Sequence, residues 1–117
     1  SGEPAAGLVA VEQAFDIMNK TGMRLHESEL FRLKGCLLLS QSKSEQAATC
    51  FAEALSAARR QNAKSLELRA ATSLGRLWQA NGRQKDVYEL VSPIYAWFNE
   101  GHGSGDLPDA AGLLDAE

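Results

Sequence analysis

Residues 63–83 read AKSLELRAATSLGRLWQANGR, and this stretch decides the fold class. It contains no proline, its bulky apolar residues recur on successive helical turns, and Gly82 stands where a helix would end. The stretch therefore predicts one amphipathic helix. Basic residues on nearly every turn leave three interpretations: the reading element of a nucleic-acid binder, part of an active site, or one rung of a helical scaffold. The neighbouring sequence favours the scaffold.

Small residues divide the rest of the chain at regular intervals. A residue suited to a helix C-terminus follows each helical pattern: Gly22, Asn62, Gly82 and Gly101. The sequence SKSE at 42–45 has the spacing of a capping box, and Pro108 suits the first turn of a helix. We predict about six helices, at roughly 5–20, 24–40, 44–61, 64–81, 84–100 and 106–116. The short connections predict antiparallel hairpins.

The sequence aligns with itself when Gly35 is placed on Gly75, a shift of 40 residues (75 − 35). We call this shift the repeat offset. The same offset places Phe51 on Val91, Gly22 on Asn62, and Glu27 on Glu67. Each helical glycine would let a second helix approach closely, against a loss of roughly 1 kcal/mol of helix propensity. We therefore expect a single helical domain, 1–117, with this order: the end of a preceding repeat at 5–20, repeats at 24–61 and 64–100, and a capping helix at 106–116.

The composition is that of an ordinary globular domain. The 117 residues are 44% hydrophobic and 23% charged, and no apolar run approaches the roughly 20 residues of a membrane span. Cys36 and Cys50 match no metal-binding or redox spacing, so we expect two buried thiols in a cytoplasmic protein. Ser1 and Gly2 resemble the remnant of a cleaved tag, and we expect the chain to be a fragment of a longer protein.

No catalytic constellation is present in the sequence. The segment GHGSG at 101–105 lacks the G-x-S-x-G order of a nucleophile elbow and the third glycine of a dinucleotide-binding loop. His26 and His102 have no acid–base partner at a readable spacing. We expect no catalytic residue, no cofactor and no metal site, and therefore no enzymatic activity in this fragment.

Charge is unevenly distributed along the chain. Residues 59–85 carry seven Lys or Arg and one Glu, whereas residues 86–117 carry seven acids and no Lys or Arg. The basic stretch admits three interpretations: internal pairing on solvated faces, a surface for an acidic protein partner, or an accessory nucleic-acid surface centred on Arg69 and Arg76. The net charge of −3 and the absence of an aromatic residue from the polar stripe of Arg69 and Arg76 disfavour nucleic acid.

Several residues resemble the tetratricopeptide consensus, W-x2-L-G-x2-Y followed by A-x3-F and A. The first repeat matches at Gly35, Ala47, Phe51 and Ala54, and the second at Leu74, Gly75 and Gly82, with Trp78 in the tyrosine position. The resemblance implies a right-handed superhelix of antiparallel hairpins. The period between Gly35 and Gly75 exceeds the roughly 34 residues of the consensus, which implies longer helices and a TPR-like rather than a strict array.

A second resemblance extends over nearly the whole chain from about residue 7. The segments HESELFRLKGCLLL, AKSLELRAA, YAWFNEG and DLPDAAGLLDAE are similar to the C-terminal helical-repeat region of large bacterial signalling ATPases. Many members of that family carry an adenylate cyclase or a DNA-binding domain ahead of the ATPase. The resemblance implies a non-catalytic regulatory arm, whose partner is a protein, a peptide or the parent's own ATPase domain. The nucleotide-binding and cyclase motifs would then lie upstream.

In a tetratricopeptide arrangement the first helix of each repeat lines the concave face. The candidate partner-binding groove comprises Arg32, Cys36, Arg69, Thr72, Ser73, Arg76 and Gln79. Its three arginines could hold carboxylates. Trp97 and Phe98 are predicted to receive the last helix. Val9 and Ile17 place apolar side chains on more than one face of the first helix, which we expect to have lost a neighbour and to pair with a second copy of the chain.

Overall fold

The computed structural model describes residues 4–22, 26–98 and 113. Five α-helices follow one another in these residues: α1 (Pro4–Thr21), α2 (Glu27–Ser40), α3 (Ser44–Arg60), α4 (Lys64–Ala80) and α5 (Gln84–Trp97). No strand occurs in this part of the chain, which confirms the predicted all-α class. The predicted boundaries of these helices are correct to within three residues. The sixth predicted helix lies outside the described residues, apart from Leu113.

Residues with a left-handed backbone end the helices. Gly22, Asn62 and Gly82 have φ values of 73°, 53° and 75°, as their predicted capping role requires. Ser42 also has a positive φ, 64°, at the turn that ends α2. The predicted capping box at 42–45 is therefore wrong. Lys43 occupies the N-cap of α3, and no side chain makes a capping hydrogen bond there.

Each helix packs against the next one along the chain, and α2 also contacts α4. One core cluster joins α3, α4 and α5 through Leu55, Leu68, Val87 and Val91, and Phe98 belongs to it. A second cluster joins α2, α3 and α4 around Phe51, whose side chain is 1% exposed. The contact between α2 and α4 places these two helices side by side, and this pairing positions the candidate groove.

Gly35 and Gly75 are sites of close helix approach, as the sequence predicts. A Cβ atom added at Gly35 would lie 2.6 Å from the ring of Phe51 on α3. A Cβ atom added at Gly75 would lie 3.2 Å from Leu113 and 3.5 Å from Val87 and Val91. Glycine is therefore required at position 35 and merely accommodated at position 75.

The two cysteines lie in different environments. Cys50 is buried on α3, as predicted, and burial raises the pKa of its thiol. Cys36 on α2 is exposed, so the expectation of two buried thiols is wrong for this residue. The apolar run of α2 is wider than the face that the neighbouring helices cover, and Leu33 and Leu39 are exposed as well.

A membrane-spanning helix is absent from the described residues, where no helix combines the length and apolar character needed to cross a bilayer.

Candidate functional site

A hollow of about 410 Å³ lies where α2, α3 and α4 meet. Three of the predicted groove residues, Cys36, Ser73 and Arg76, line it. Its apolar surface comes from Leu39, Phe51, Leu77 and Ala80, and Ser44 and Asn81 add polar groups. We call it the α2–α4 hollow. Its volume lies within the range for ligand sites, roughly 300–1,000 Å³.

Glu29 organises the arginines at the N-terminal end of the same face. Its carboxylate accepts hydrogen bonds from Arg32 Nε at 3.0 Å and Nη2 at 3.1 Å, and from Arg69 Nη1 on α4 at 3.2 Å. Partial burial alone would raise the pKa of Glu29, but the hydrogen bonds and charges of the two arginines outweigh it and lower that pKa. Because Glu29 neutralises part of the positive charge of Arg32 and Arg69, these arginines attract an external carboxylate less strongly.

The remaining predicted groove residues differ in accessibility. Thr72 is buried and donates its hydroxyl to the Leu68 carbonyl oxygen at 2.7 Å, so it presents nothing to a partner. Gln79 donates through Nε2 to Gln84 Oε1 at 3.2 Å. Arg76 is exposed and lies at the hollow. The structure therefore brings together Cys36, Ser73 and Arg76 at the hollow, and pairs Arg32 and Arg69 with Glu29. Arg32 joins the two groups, because its Nη1 lies 4.0 Å from Cys36 Sγ.

The basic stretch predicted as a charged surface is largely paired within the chain. Arg59 Nε contacts Glu67 at 3.1 Å, and Lys64 Nζ contacts the same carboxylate at 3.4 Å. Arg60 contacts Glu27 at 3.2 Å. Arg83, at the turn before α5, contacts Asp86 at 2.8 Å and also lies over the Trp78 ring, 4.4 Å from its centroid. These contacts favour internal pairing as the role of the stretch.

Two buried acids, Glu27 and Glu67, were not assigned a role by sequence reasoning. Each lies at a helix start, is less than a tenth exposed, and contacts an arginine of α3. Acids in the first turn also interact favourably with the helix dipole. The repeat offset places Glu27 on Glu67, so the sequence did indicate that the two glutamates have equivalent positions. Their ion pairs with α3 could not be predicted, because the spacing within one helix does not identify a partner on another helix.

Leu113 lies at the other end of the array, against α4 and α5. Leu113 is buried in the same cluster as Phe98, and its carbonyl oxygen accepts a hydrogen bond from Gln84 Nε2 at 2.8 Å. Trp97 packs edge-on to Phe98, with ring centroids 4.9 Å apart. The role of Trp97 and Phe98 as the surface that receives the last helix stays a prediction, because that helix lies outside the described residues apart from Leu113. Leu107, Ala111 and Leu114, predicted to face this surface, lie outside the described residues.

Within residues 4–22, 26–98 and 113, no group of three or more His, Cys, Asp or Glu side chains could hold a metal ion. Comparison with protein-family models, with curated proteins and with solved structures finds no match to the chain.

Proposed function

We propose that the chain is a non-catalytic protein-interaction module, and that the α2–α4 hollow binds an aliphatic side chain of a partner peptide. The observation that carries the proposal is the composition of this hollow: an apolar lining from three helices, with the exposed Arg76 at its edge. A peptide with an aliphatic residue next to an acid fits both features. The aliphatic side chain would lose contact with water, and the acid would meet the guanidinium.

The C-terminal end of the array shows how a leucine is held in a comparable position. Leu113 packs over Gly75, and Gln84 donates to its backbone carbonyl. One repeat offset earlier stand Gly35 and Ser44, and Ser44 lines the hollow. The same offset carries Leu113 back to Ser73, a small side chain that also lines the hollow. A partner's leucine would therefore supply the bulk that Ser73 lacks.

The wider setting that we propose is the TPR-like arm of a bacterial signalling ATPase, with or without a linked adenylate cyclase domain. The setting rests on the sequence resemblance, and the geometry supports only its repeat character. Left-handed residues recur at the repeat offset, at Gly22 and Asn62 and at Ser42 and Gly82. In this setting the partner segment belongs either to a separate protein or to the parent's ATPase domain, which the arm would restrain.

A nucleic-acid surface on residues 59–85 is the alternative. It has less support, because Arg59, Arg60, Arg69 and Arg83 all contact carboxylates of the same chain. A nucleic-acid phosphate would have to compete with these internal partners.

The test is a binding measurement with a defined peptide array. Each short peptide carries one leucine flanked by aspartate or glutamate, and a matched peptide carries lysine in place of the acid. We expect the full chain to bind the acidic members and not the lysine members. Arg76→Glu should weaken the best acidic peptide by about tenfold, corresponding to about 1.4 kcal/mol. Ser73→Trp, which would fill the hollow, should abolish binding.

The matched control is Ser56→Trp, which places the same bulk at an exposed position of α3. Equal loss of binding in Ser56→Trp and Ser73→Trp would contradict the proposal, as would equal binding of acidic and lysine peptides. A short fluorescein-labelled DNA duplex, titrated at ~50 mM salt, tests the alternative. Tight duplex binding with a steep salt dependence, combined with no peptide binding, would replace the proposed function by the nucleic-acid one.

A further inference from the structure

An apolar hollow of about 410 Å³ lies away from the α2–α4 hollow, between the C-terminal half of α1 and the first turn of α2. Ala14, Ile17, Met18 and Leu30 form its apolar lining, and Thr21 and His26 add polar groups. Ile17 is 62% exposed. We call the four apolar lining residues the α1 face.

The repeat offset relates the α1 face to an equivalent surface on α3 and α4, and a helix covers that surface. The repeat offset carries Ala14, Ile17, Met18 and Leu30 onto Ala54, Ala57, Ala58 and Ala70. All four of these later alanines are 0% exposed. The covering helix is α2: the Ser28 hydroxyl donates to the Ala54 carbonyl oxygen at 2.9 Å, and Phe31 packs against the core cluster that contains Ala54 and Ala70. The α1 face is therefore the counterpart of a helix-covered surface, with larger apolar side chains.

The charges around the α1 face indicate which side chain a covering helix would carry in its first turn. At the covered surface, Arg60 at the end of α3 contacts Glu27 in the first turn of α2. The repeat offset carries Arg60 back to Lys20, whose side chain is 74% exposed. Among the ion pairs of the described residues, Lys20 contacts only Asp16, one turn earlier on α1. A covering helix with a glutamate in its first turn would therefore find a cation on α1 at the matching place.

From these counterparts we infer that the α1 face is a docking site for an amphipathic α-helix of a partner protein, packed on α1 as α2 packs on α3. The partner helix carries a glutamate in its first turn, opposite Lys20, and an aromatic residue one turn later that enters the hollow beside Ile17. This docking uses the opposite end of the array from Leu113 and does not depend on the peptide site proposed for the α2–α4 hollow.

The probe is a peptide with the sequence of residues 26–43, because α2 is the helix that covers the counterpart surface. It carries Cys36→Ser to prevent oxidation and a fluorescent label for anisotropy. We expect saturable binding to the full chain. Ile17→Lys in the protein should weaken binding by about tenfold or more, since it places a charge in the apolar contact. Phe31→Ala in the peptide should weaken binding to a similar degree.

A charge reversal distinguishes docking in this orientation from unspecific adhesion. Lys20→Glu in the protein should weaken the peptide by about fivefold, and Glu27→Lys in the peptide should restore binding to that variant. Glu53→Lys, at an exposed position of α3, is the control and should leave binding unchanged. Because Ile17 and Lys20 are exposed, both variants are expected to fold, and circular dichroism verifies this.

Three results would overturn the inference. The first is no binding of the peptide to the wild-type chain, and the second is binding that Ile17→Lys leaves unchanged. The third is concentration-dependent dimerisation of the wild-type chain in sedimentation experiments that Ile17→Lys abolishes. The third result would assign the α1 face to a second copy of the chain, as the sequence predicts, instead of a partner helix. Restoration of binding by the reversed charge pair, in a monomeric chain, supports it.

Discussion

In the hairpin of α2 and α3 and in the hairpin of α4 and α5, side chains of the second helix cover a glycine of the first helix, but the covering residues differ. In the first, the ring of Phe51 covers Gly35 so closely that no Cβ atom fits. In the second, the smaller Val91 stands at the corresponding position, and Leu113 from the C-terminal segment completes the cover of Gly75. The first hairpin is closed by its own residues, whereas the second depends on a residue from outside it.

This difference explains where space is left for a ligand. Within the described part of the chain, the place beside Phe51 that corresponds to Leu113 belongs to the small Ser73, and the α2–α4 hollow lies there. The end of the array near α5 is already covered by Leu113 and Phe98. A peptide-binding role therefore belongs to the first hairpin and its contact with α4, and a closing role belongs to the second.

The largest expected effect comes from truncating the side chain that covers each glycine. Phe51→Ala should lower the free energy of unfolding by about 4 kcal/mol, because the ring is fully buried and leaves a cavity. Val91→Ala should lower it by about 2 kcal/mol, because fewer buried atoms are lost. Urea denaturation followed by circular dichroism measures both values.

The comparison fails if the two truncations cost the same, since that would mean that Phe51 does not close its hairpin more than Val91 does. Because Phe51→Ala could unfold the chain, Phe51→Leu provides a milder variant. It should cost about 1–1.5 kcal/mol and retain a measurable transition.

A smaller effect is expected from adding a methyl group at each glycine. Alanine gains roughly 1 kcal/mol of helix propensity over glycine, but overpacking costs about 1–3 kcal/mol. At Gly35 the new Cβ would lie 2.6 Å from a buried ring, so overpacking should dominate. Gly35→Ala should therefore lower stability by about 1–2 kcal/mol. At Gly75 the nearest atom is a leucine methyl at 3.2 Å, so the two effects should nearly cancel and Gly75→Ala should be close to neutral.

Combining Gly35→Ala with Phe51→Val would make the first hairpin similar to the second. The double variant should lose less stability than the sum of the two single variants, since the smaller side chain removes the clash. Strict additivity would show that Gly35 and Phe51 do not constrain each other.

The described helices and the close approach at both glycines could be predicted from the sequence, because these depend on local periodicity and on cap residues that need a left-handed backbone. Ser42 shows where prediction from local sequence fails. Its spacing from Glu45 is typical of a capping box, but its φ is positive and it lies at the turn that ends α2. Only the path of the chain between α2 and α3 decides between these two roles.

The candidate site was harder to predict, because helical spacing gives the face of a residue but not its partner. Arg32 and Arg69 were expected to bind an external carboxylate, but Glu29, one turn before Arg32 on α2, contacts both. Thr72 was assigned to the groove by its place on the first helix of its repeat, but its hydroxyl bonds the preceding turn and the side chain is buried. The hollow itself depends on Phe51, a residue of α3 that no pattern within α2 or α4 could indicate.

The smallest expected effect concerns Glu29, a carboxylate that links the two hairpins directly by contacting Arg69 across α2 and α4. Its pKa in the folded chain is lowered from 4.5, so its contribution to stability is complete above the unfolded-state pKa and is lost as the pH falls through the folded-state pKa. Glu29→Gln should therefore lower stability by at most about 1 kcal/mol at pH 7, with the discount that a partly exposed ion pair requires.

The difference between the wild-type chain and Glu29→Gln should shrink as the pH falls below about 4.5, because the protonated carboxyl group no longer attracts the arginines. Urea denaturation at pH 7 and pH 3 measures it, with Glu53→Gln, an exposed carboxylate of α3, as the control. A difference that stays constant with pH would mean that Glu29 contributes by packing and not by charge. The Glu29–Arg69 pair would then add little to the contact between the two hairpins, and the Arg59–Glu67 pair and the apolar clusters would hold them together instead.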